Sequence, residues 1–88
     1  MRLKKAAKRL VELRGELAVI DEQAMHLGDE AADLELRALV SDSPYEKVQA
    51  RDASGHAAAM ARHRAHVVAE IARLEREQDD LLDRLSSR

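Results

Sequence analysis

The sequence predicts an all-α protein, a long antiparallel helical hairpin of two heptad-patterned helices that dimerises into a four-helix bundle. Charged residues make up 36% of the chain and aromatic residues only 1%, a composition typical of long helices and coiled coils. Apolar residues recur at alternating spacings of three and four along most of the chain, which indicates helices with one apolar side. A single proline, Pro44, lies near the midpoint. The 88 residues therefore predict one domain, 1–88, divided by one turn.

The first helix is predicted over residues 2–41. Its apolar residues form two columns: Leu3, Leu10, Leu17, Ala24, Ala31 and Ala38, and, three residues on, Ala6, Leu13, Ile20, Leu27 and Leu34. Gly28 is the one place where this helix could end, because Gly often terminates helices and the next residue, Asp29, could begin another. We predict that the helix continues through Gly28, because a break would normally shift the heptad register and the register does not change there. The alternative is a three-helix form, broken at Gly28 and folded back on itself.

The turn is predicted at residues 41–44. Pro44 suits the first position of a helix, where its missing N–H loses no hydrogen bond, and it disfavours helical backbone at Ser43. Ser43 and Glu46 have the spacing of a capping box, in which each side chain accepts a hydrogen bond from the other residue's backbone N–H. The second helix is therefore predicted over residues 44–86.

The second helix carries a matching seam. Its members are Ala50, Ala53, Ala57, Met60, Arg64, Val67, Ile71, Leu74, Gln78, Leu81 and Leu85. A short turn makes the helices antiparallel, so the numbers of facing residues should sum to about 84. In that register the basic stretch 2–14 faces the acidic stretch 70–83, and the acids of 16–46 face the bases of 47–64. Gly28 then falls opposite Gly55, which predicts a close approach of the two helices.

Apolar residues outside the seam predict a second interface. They are Val11, Ala18, Met25, Ala32 and Leu39 on the first helix, with Ala61, Val68 and Leu82 on the second. Left in water they would form a long apolar strip, and such strips usually mark an interaction site. Two hairpins could bury their strips against each other, so we predict a homodimer. A partner protein supplying a helix is the other occupant that the strip allows.

Other classes of function have little support in the sequence. The net charge of −2 and the single aromatic residue argue against nucleic-acid binding, and acids are predicted to face the basic segment 62–66. No apolar run approaches the about 20 residues that span a bilayer, and the basic start lacks the apolar run of a signal peptide. We expect a cytoplasmic protein with no membrane partner and no cofactor. The sequence places no nucleophile beside a base and has no glycine-rich phosphate loop, so we do not predict an enzyme.

A group of histidines and carboxylates is the one candidate metal site. His63, His66 and Glu70 share a side of the second helix, and the register brings Glu22 and His26 of the first helix near them. Such residues project between helices in di-metal bundles and suit zinc or iron, although the Glu-x-x-His motif of those sites is absent. The alternatives are a pH-sensitive interface and, as we favour, histidines that lie beside the seam and pair with nearby acids.

The turn carries Asp42, Tyr45 and Glu46 at the end of a rod predicted to be about 60 Å long. This tip resembles the coiled-coil hairpin of the Gre transcript-cleavage factors, whose tip reads Gly-Asp-Leu-x-Glu-Asn-Ala-Glu-Tyr. Here the two acids are four residues apart instead of three, and the tyrosine precedes the second acid. The resemblance implies a regulator that enters the secondary channel of RNA polymerase and helps hold a metal with Asp42 and Glu46.

The function favoured by these patterns is that of a small non-enzymatic interaction or assembly protein, an adaptor or scaffold acting through its apolar strip. The polymerase-channel regulator and the metal-binding bundle are the two alternatives.

Overall fold

A computed structural model describes residues 2–87 and shows two helices joined by a three-residue turn. Helix α1 spans Arg2–Val40 (39 residues) and helix α2 spans Pro44–Ser86 (43 residues). They pack against each other as an antiparallel hairpin, a rod whose principal extents are 70 × 16 × 14 Å. The prediction of an all-α hairpin is confirmed. Helix α1 continues through Gly28 without interruption.

The heptad-spaced residues form the contact between the helices. Each of the eleven seam residues predicted on α1 is buried or half-buried. On α2 only two seam residues are exposed: Arg64, whose charge keeps it in water, and Leu85, near the end of the helix. Burial of aliphatic side chains, at about 25 cal/mol per Å² of apolar surface, is therefore what holds the hairpin together.

The core is uneven along the rod. Its large side chains lie towards the open end, where the chain starts and finishes: Ala6, Leu10, Leu13, Ile20, Val67 and Leu74, packed with Leu17, Met60 and Ile71. Nearer the turn the fully buried seam residues are all alanines: Ala31, Ala50 and Ala53. The open end therefore contributes most of the apolar burial, and the tip half of the hairpin is held by smaller contacts.

The turn differs from the predicted capping box. Ser43 has extended backbone (φ −71°, ψ 120°), as expected before a proline, but its side chain makes no capping hydrogen bond. Instead the Ser43 backbone N–H donates to Ser41 Oγ at 3.1 Å, and the Lys47 N–H donates to the Ser43 carbonyl at 3.3 Å. The Ser41 side chain accepts the hydrogen bond from the Ser43 N–H that the Glu46 side chain would have accepted in a capping box. The turn is therefore closed by its first residue.

The glycines do not serve a close approach of the helices. Gly28 and Gly55 are both exposed, and a Cβ atom added at either would meet no heavy atom within 4 Å outside its own helix turn. The same holds for Gly15. The register argument placed Gly28 and Gly55 at the same level of the rod, but both lie outside the buried seam. The predicted contact between them was wrong.

Replacing these glycines with alanine should stabilise the hairpin. In an exposed helix interior Gly is less favourable than Ala by about 1 kcal/mol, and here no neighbour opposes the added methyl group. Gly28→Ala and Gly55→Ala should each raise the free energy of unfolding by about that amount, measured by urea denaturation at one fixed protein concentration. A loss of stability would show that the glycines relieve a constraint in the helices.

Truncating the core at the open end should have the opposite effect. Leu13 is 2% exposed, and Leu13→Ala should lower the free energy of unfolding by about 2–5 kcal/mol through lost burial and a residual cavity. Val19→Ala, on the same helix but 54% exposed, is the matched control and should change it by less than about 0.5 kcal/mol. Equal effects of the two changes would contradict the assigned core.

Candidate interaction face

The contacts that cross between the helices define two faces of the rod. On one face Arg14 bonds Glu75 at 3.2 Å and the Ser54 hydroxyl donates to Glu35. On the opposite face Arg2 lies 3.7 Å from Glu77. These pairs, together with Arg64 and Asp21, have residue numbers summing to between 79 and 89, which agrees with the predicted register.

All the residues predicted as an interface lie on the face marked by the Arg14–Glu75 pair. On α1 they stand three or four residues from Arg14, Asp21 or Glu35, and therefore on the same side of the helix. On α2 they share the heptad column of Ser54 and Glu75. We call this the apolar face: Val11, Ala18, Met25, Ala32 and Leu39 of α1, with Ala61, Val68 and Leu82 of α2 and the neighbouring column Ala58, Ala65 and Ala72.

The apolar face is uncovered in the single chain. All eight predicted interface residues are exposed, including Met25 at 57% and Leu39 at 81%. The strip lies on one side of the rod and is interrupted by charges. Over residues 2–87 neither helix contains a stretch that is both long enough and apolar enough to cross a membrane. The rod therefore exposes a one-sided apolar strip along its length.

A line of polar contacts crosses the apolar face where the two helices meet. It consists of Arg14–Glu75, Asp21–Arg64 and Glu35–Ser54, each joining α1 to α2. Two of these contacts are ion pairs, and in the third the Glu35 carboxylate accepts a hydrogen bond from the Ser54 hydroxyl. Covering the face would therefore bury groups that already have hydrogen-bond or ion-pair partners within the chain. Exposed pairs of this kind are worth about 0.2–1 kcal/mol each, enough to favour one register of the helices without being the source of stability.

The opposite face of the rod is polar. Ion pairs within single helices concentrate there: Arg9 with Glu12 and Glu16, Arg37 with Asp33, and Arg73 with Glu70 and Glu77. Val19, Val40 and Tyr45 are the large apolar residues in its outer columns. All four histidines also belong to this side and are exposed. One rod thus presents two long faces of opposite character.

The structure does not bring the candidate metal ligands together. Over residues 2–87 no group of three His, Asp or Glu side chains is placed to hold one ion. His63 lines a shallow groove with Glu16 and Gln23, whereas Glu22 lies on the outer side of α1, away from it. The Glu70 carboxylate accepts two hydrogen bonds from Arg73, at 2.7 and 3.1 Å, and is therefore engaged by a cation instead of facing His66.

The tip has an apolar surface of which the sequence analysis singled out only Leu39 and Tyr45. Five of its large apolar side chains are more than half exposed: Leu36, Leu39, Val40, Tyr45 and Val48. They lie within two helical turns of residues 41–43 and surround the end of the rod. The signal was present in the sequence as apolar residues outside the seam, but only Leu39 matched the heptad column used to predict the strip.

The predicted tip residues lie among these apolar side chains. Asp42 and Tyr45 are exposed, Glu46 is half-buried, and Gln49 donates to the Tyr45 hydroxyl at 3.2 Å. The resemblance of this tip to the Gre hairpin stays a prediction. Comparison with known protein families, with curated proteins and with solved structures finds no match to this chain.

The Glu70–Arg73 pair on the polar face gives a pH prediction. The hydrogen bonds from Arg73 and the charge of its guanidinium hold the pKa of the Glu70 carboxyl below its ordinary value. The pair therefore contributes its stability fully above that ordinary pKa, and the contribution disappears as the pH falls through the lowered pKa of the folded state. Arg73→Gln should raise the pKa of Glu70, measured by carboxyl NMR titration.

The matched control is Arg76→Gln, which removes the same charge from α2 at a residue that makes no recorded contact with Glu70. It should move the Glu70 pKa less than Arg73→Gln does. Equal shifts from both variants would mean that general charge, and not the hydrogen-bonded pair, sets this pKa.

Proposed function

We propose that the protein is a non-enzymatic assembly protein whose apolar face packs against a second copy to form a four-helix bundle. The observation that carries the proposal is the contrast between the two long faces of one rod. Ion pairs within each helix cover the polar face, whereas exposed aliphatic side chains follow both helices along the apolar face. A helix pair that stayed alone in water would have no reason to segregate its surface in this way.

The size of the apolar face suits a stable dimer. A face 70 Å long and 16 Å wide has a footprint of roughly 1,100 Å², and a standard protein interface buries about 800 Å² on each partner. A symmetric pair of hairpins would cover both strips at once, because an isologous contact uses the same face of both copies. One whole side of the rod is therefore large enough to hold a standard interface.

The surface chemistry also supports a packing role. Among residues 2–87 no polar or charged side chain is buried, so the described chain lacks the desolvated titratable groups that mark many catalytic sites. Three open grooves among residues 2–87 lie on the polar side of the rod, beside Glu77, His63 and His56. What the apolar face offers is aliphatic contact area and pre-formed ion pairs, which are the components of a helix–helix interface.

Placing a charge in the apolar face should separate the copies. Met25→Glu and Val68→Glu would each bury two unpaired carboxylates per dimer, which is strongly unfavourable. The mass measured by light scattering should fall from twice the chain mass of 9.8 kDa to the mass of one chain. The control is Val19→Glu on the polar face, where Val19 is 54% exposed, close to the 57% of Met25; this variant should stay dimeric.

Two results would contradict the proposal. One is a wild-type protein whose mass in solution equals that of one chain at every concentration measured. The other is a dimer that Val19→Glu disrupts as readily as Met25→Glu. Circular dichroism of each variant should show unchanged helix content, so that a loss of mass reports dissociation rather than unfolding.

A further inference from the structure

The orientation of the two copies follows from the pattern of residues along the apolar face. Resting on the proposed function, we propose that the two hairpins lie side by side with their tips at the same end. In this tips-together dimer, α1 of each copy packs on α2 of the other. The two tips then form one composite end that carries the exposed apolar residues of both chains.

Symmetry leaves two ways of packing the same face of two rods together. A two-fold axis along the rod brings the tips together and sets α1 against the partner's α2. An axis across the rod sets the tips at opposite ends and packs each helix against its own copy. A rotation about the long axis leaves heights along the rod unchanged, so residue numbers across the tips-together interface sum to about 84, as they do within the hairpin.

The tips-together register sets large side chains against small ones. Met25 falls level with the partner's Ala61 and the partner's Ala58, and Ala18 falls level with the partner's Val68. Val11 lies near the partner's Ala72. Interiors pack best when large and small residues interdigitate, and in each of these meetings one copy supplies the large residue and the other supplies an alanine.

The outer rim of the apolar face distinguishes the two arrangements. On each helix the rim is the column next to the strip: Lys8, Gly15, Glu22, Asp29 and Leu36 on α1, and Val48, Gly55, Arg62, Ala69 and Arg76 on α2. In the tips-together dimer, Glu22 meets the partner's Arg62 and Leu36 meets the partner's Val48. Gly15 meets the partner's Ala69, and the one like-charged meeting is Lys8 with the partner's Arg76.

The opposed arrangement gives a worse rim at full overlap. Packing α1 on its own copy sets Glu22 against the partner's Glu22, and Leu36 against the partner's Lys8. Packing α2 on its own copy sets Val48 against the partner's Arg76. Like charges and exposed apolar groups next to charges both disfavour this arrangement, and sliding the rods apart to avoid them reduces the buried area.

The exposed tip supports the same orientation. Leu36 is 65% exposed and Val48 is 53% exposed in the single chain, and both project to the outer side, where neither helix of the hairpin can cover them. Tips-together packing brings Leu36 of one copy beside the partner's Val48, and Val48 beside the partner's Leu36. The apolar residues that the single chain leaves uncovered at its tip are thereby partly buried by the dimer.

Distance measurement between tips tests the orientation directly. The chain has no cysteine, so Asp42→Cys gives one spin label per copy at the exposed turn. Pulsed electron paramagnetic resonance should find the two labels separated by a distance comparable to the rod's width of 16 Å, whereas opposed tips would separate them by a distance comparable to its length of 70 Å. A mixed dimer, with Asp42→Cys in one copy and Lys4→Cys in the other, should give the long distance.

A charge reversal tests the rim contact. Over residues 2–87 neither Glu22 nor Arg62 takes part in a recorded ion pair with its own chain, so their reversal should leave the hairpin intact. Glu22→Arg alone and Arg62→Glu alone should each weaken dimerisation by about five-fold at low salt, and the double reversal should restore it. Glu30→Arg, on the polar face and likewise outside these ion pairs, is the control and should leave dimerisation unchanged.

The outcomes separate the two proposals. A single-chain mass overturns both the assembly function and the orientation. A dimer that Met25→Glu dissociates, but whose tip labels lie a rod length apart, keeps the function and overturns the orientation. A double reversal that binds no better than either single variant also overturns the orientation.

Discussion

The contact between two columns of aliphatic side chains is the interaction on which the rest of this structure depends. Leu10 and Leu13 are almost fully buried, and the seam of which they are part keeps one register from the open end to the turn. Because the seam fixes which side of each helix faces inward, it also fixes which residues are left outside. The two faces of the rod are a geometric consequence of that one contact.

Charge refines what the seam establishes. The basic start of α1 lies against the acidic end of α2, and Asp21 pairs with Arg64 where the signs reverse. Pairs of this strength add little to the free energy of unfolding. Their effect is on register, because sliding one helix past the other by a turn would separate the opposite charges while leaving much of the aliphatic contact intact.

The apolar face and the tip share a physical origin. Each helix has apolar residues in excess of what one seam can bury, and a two-helix rod has no third layer to cover them. The excess collects along one side of the rod and around its end, where Leu39 belongs to both surfaces. A dimer with its tips together covers part of each surface with the same contact, which is why the proposed assembly and its orientation are linked.

The sequence by itself determined the all-α hairpin and the seam, because heptad spacing and one proline act locally and leave few alternatives. It also located the strip from Val11 to Leu39, since residues seven apart share a side wherever a helix is continuous. Tertiary structure decided the features that depend on which residues of one helix face the other helix. The level of a residue along the rod could not show that Gly28 and Gly55 have no close neighbour on the other helix, or that Glu22 does not line the groove beside His63. The sequence also could not show that Ser41, instead of Glu46, closes the turn, because that depends on the path of a few backbone atoms. Positions along a helix follow from counting residues, but contacts between helices follow from the angles at which their side chains leave the backbone.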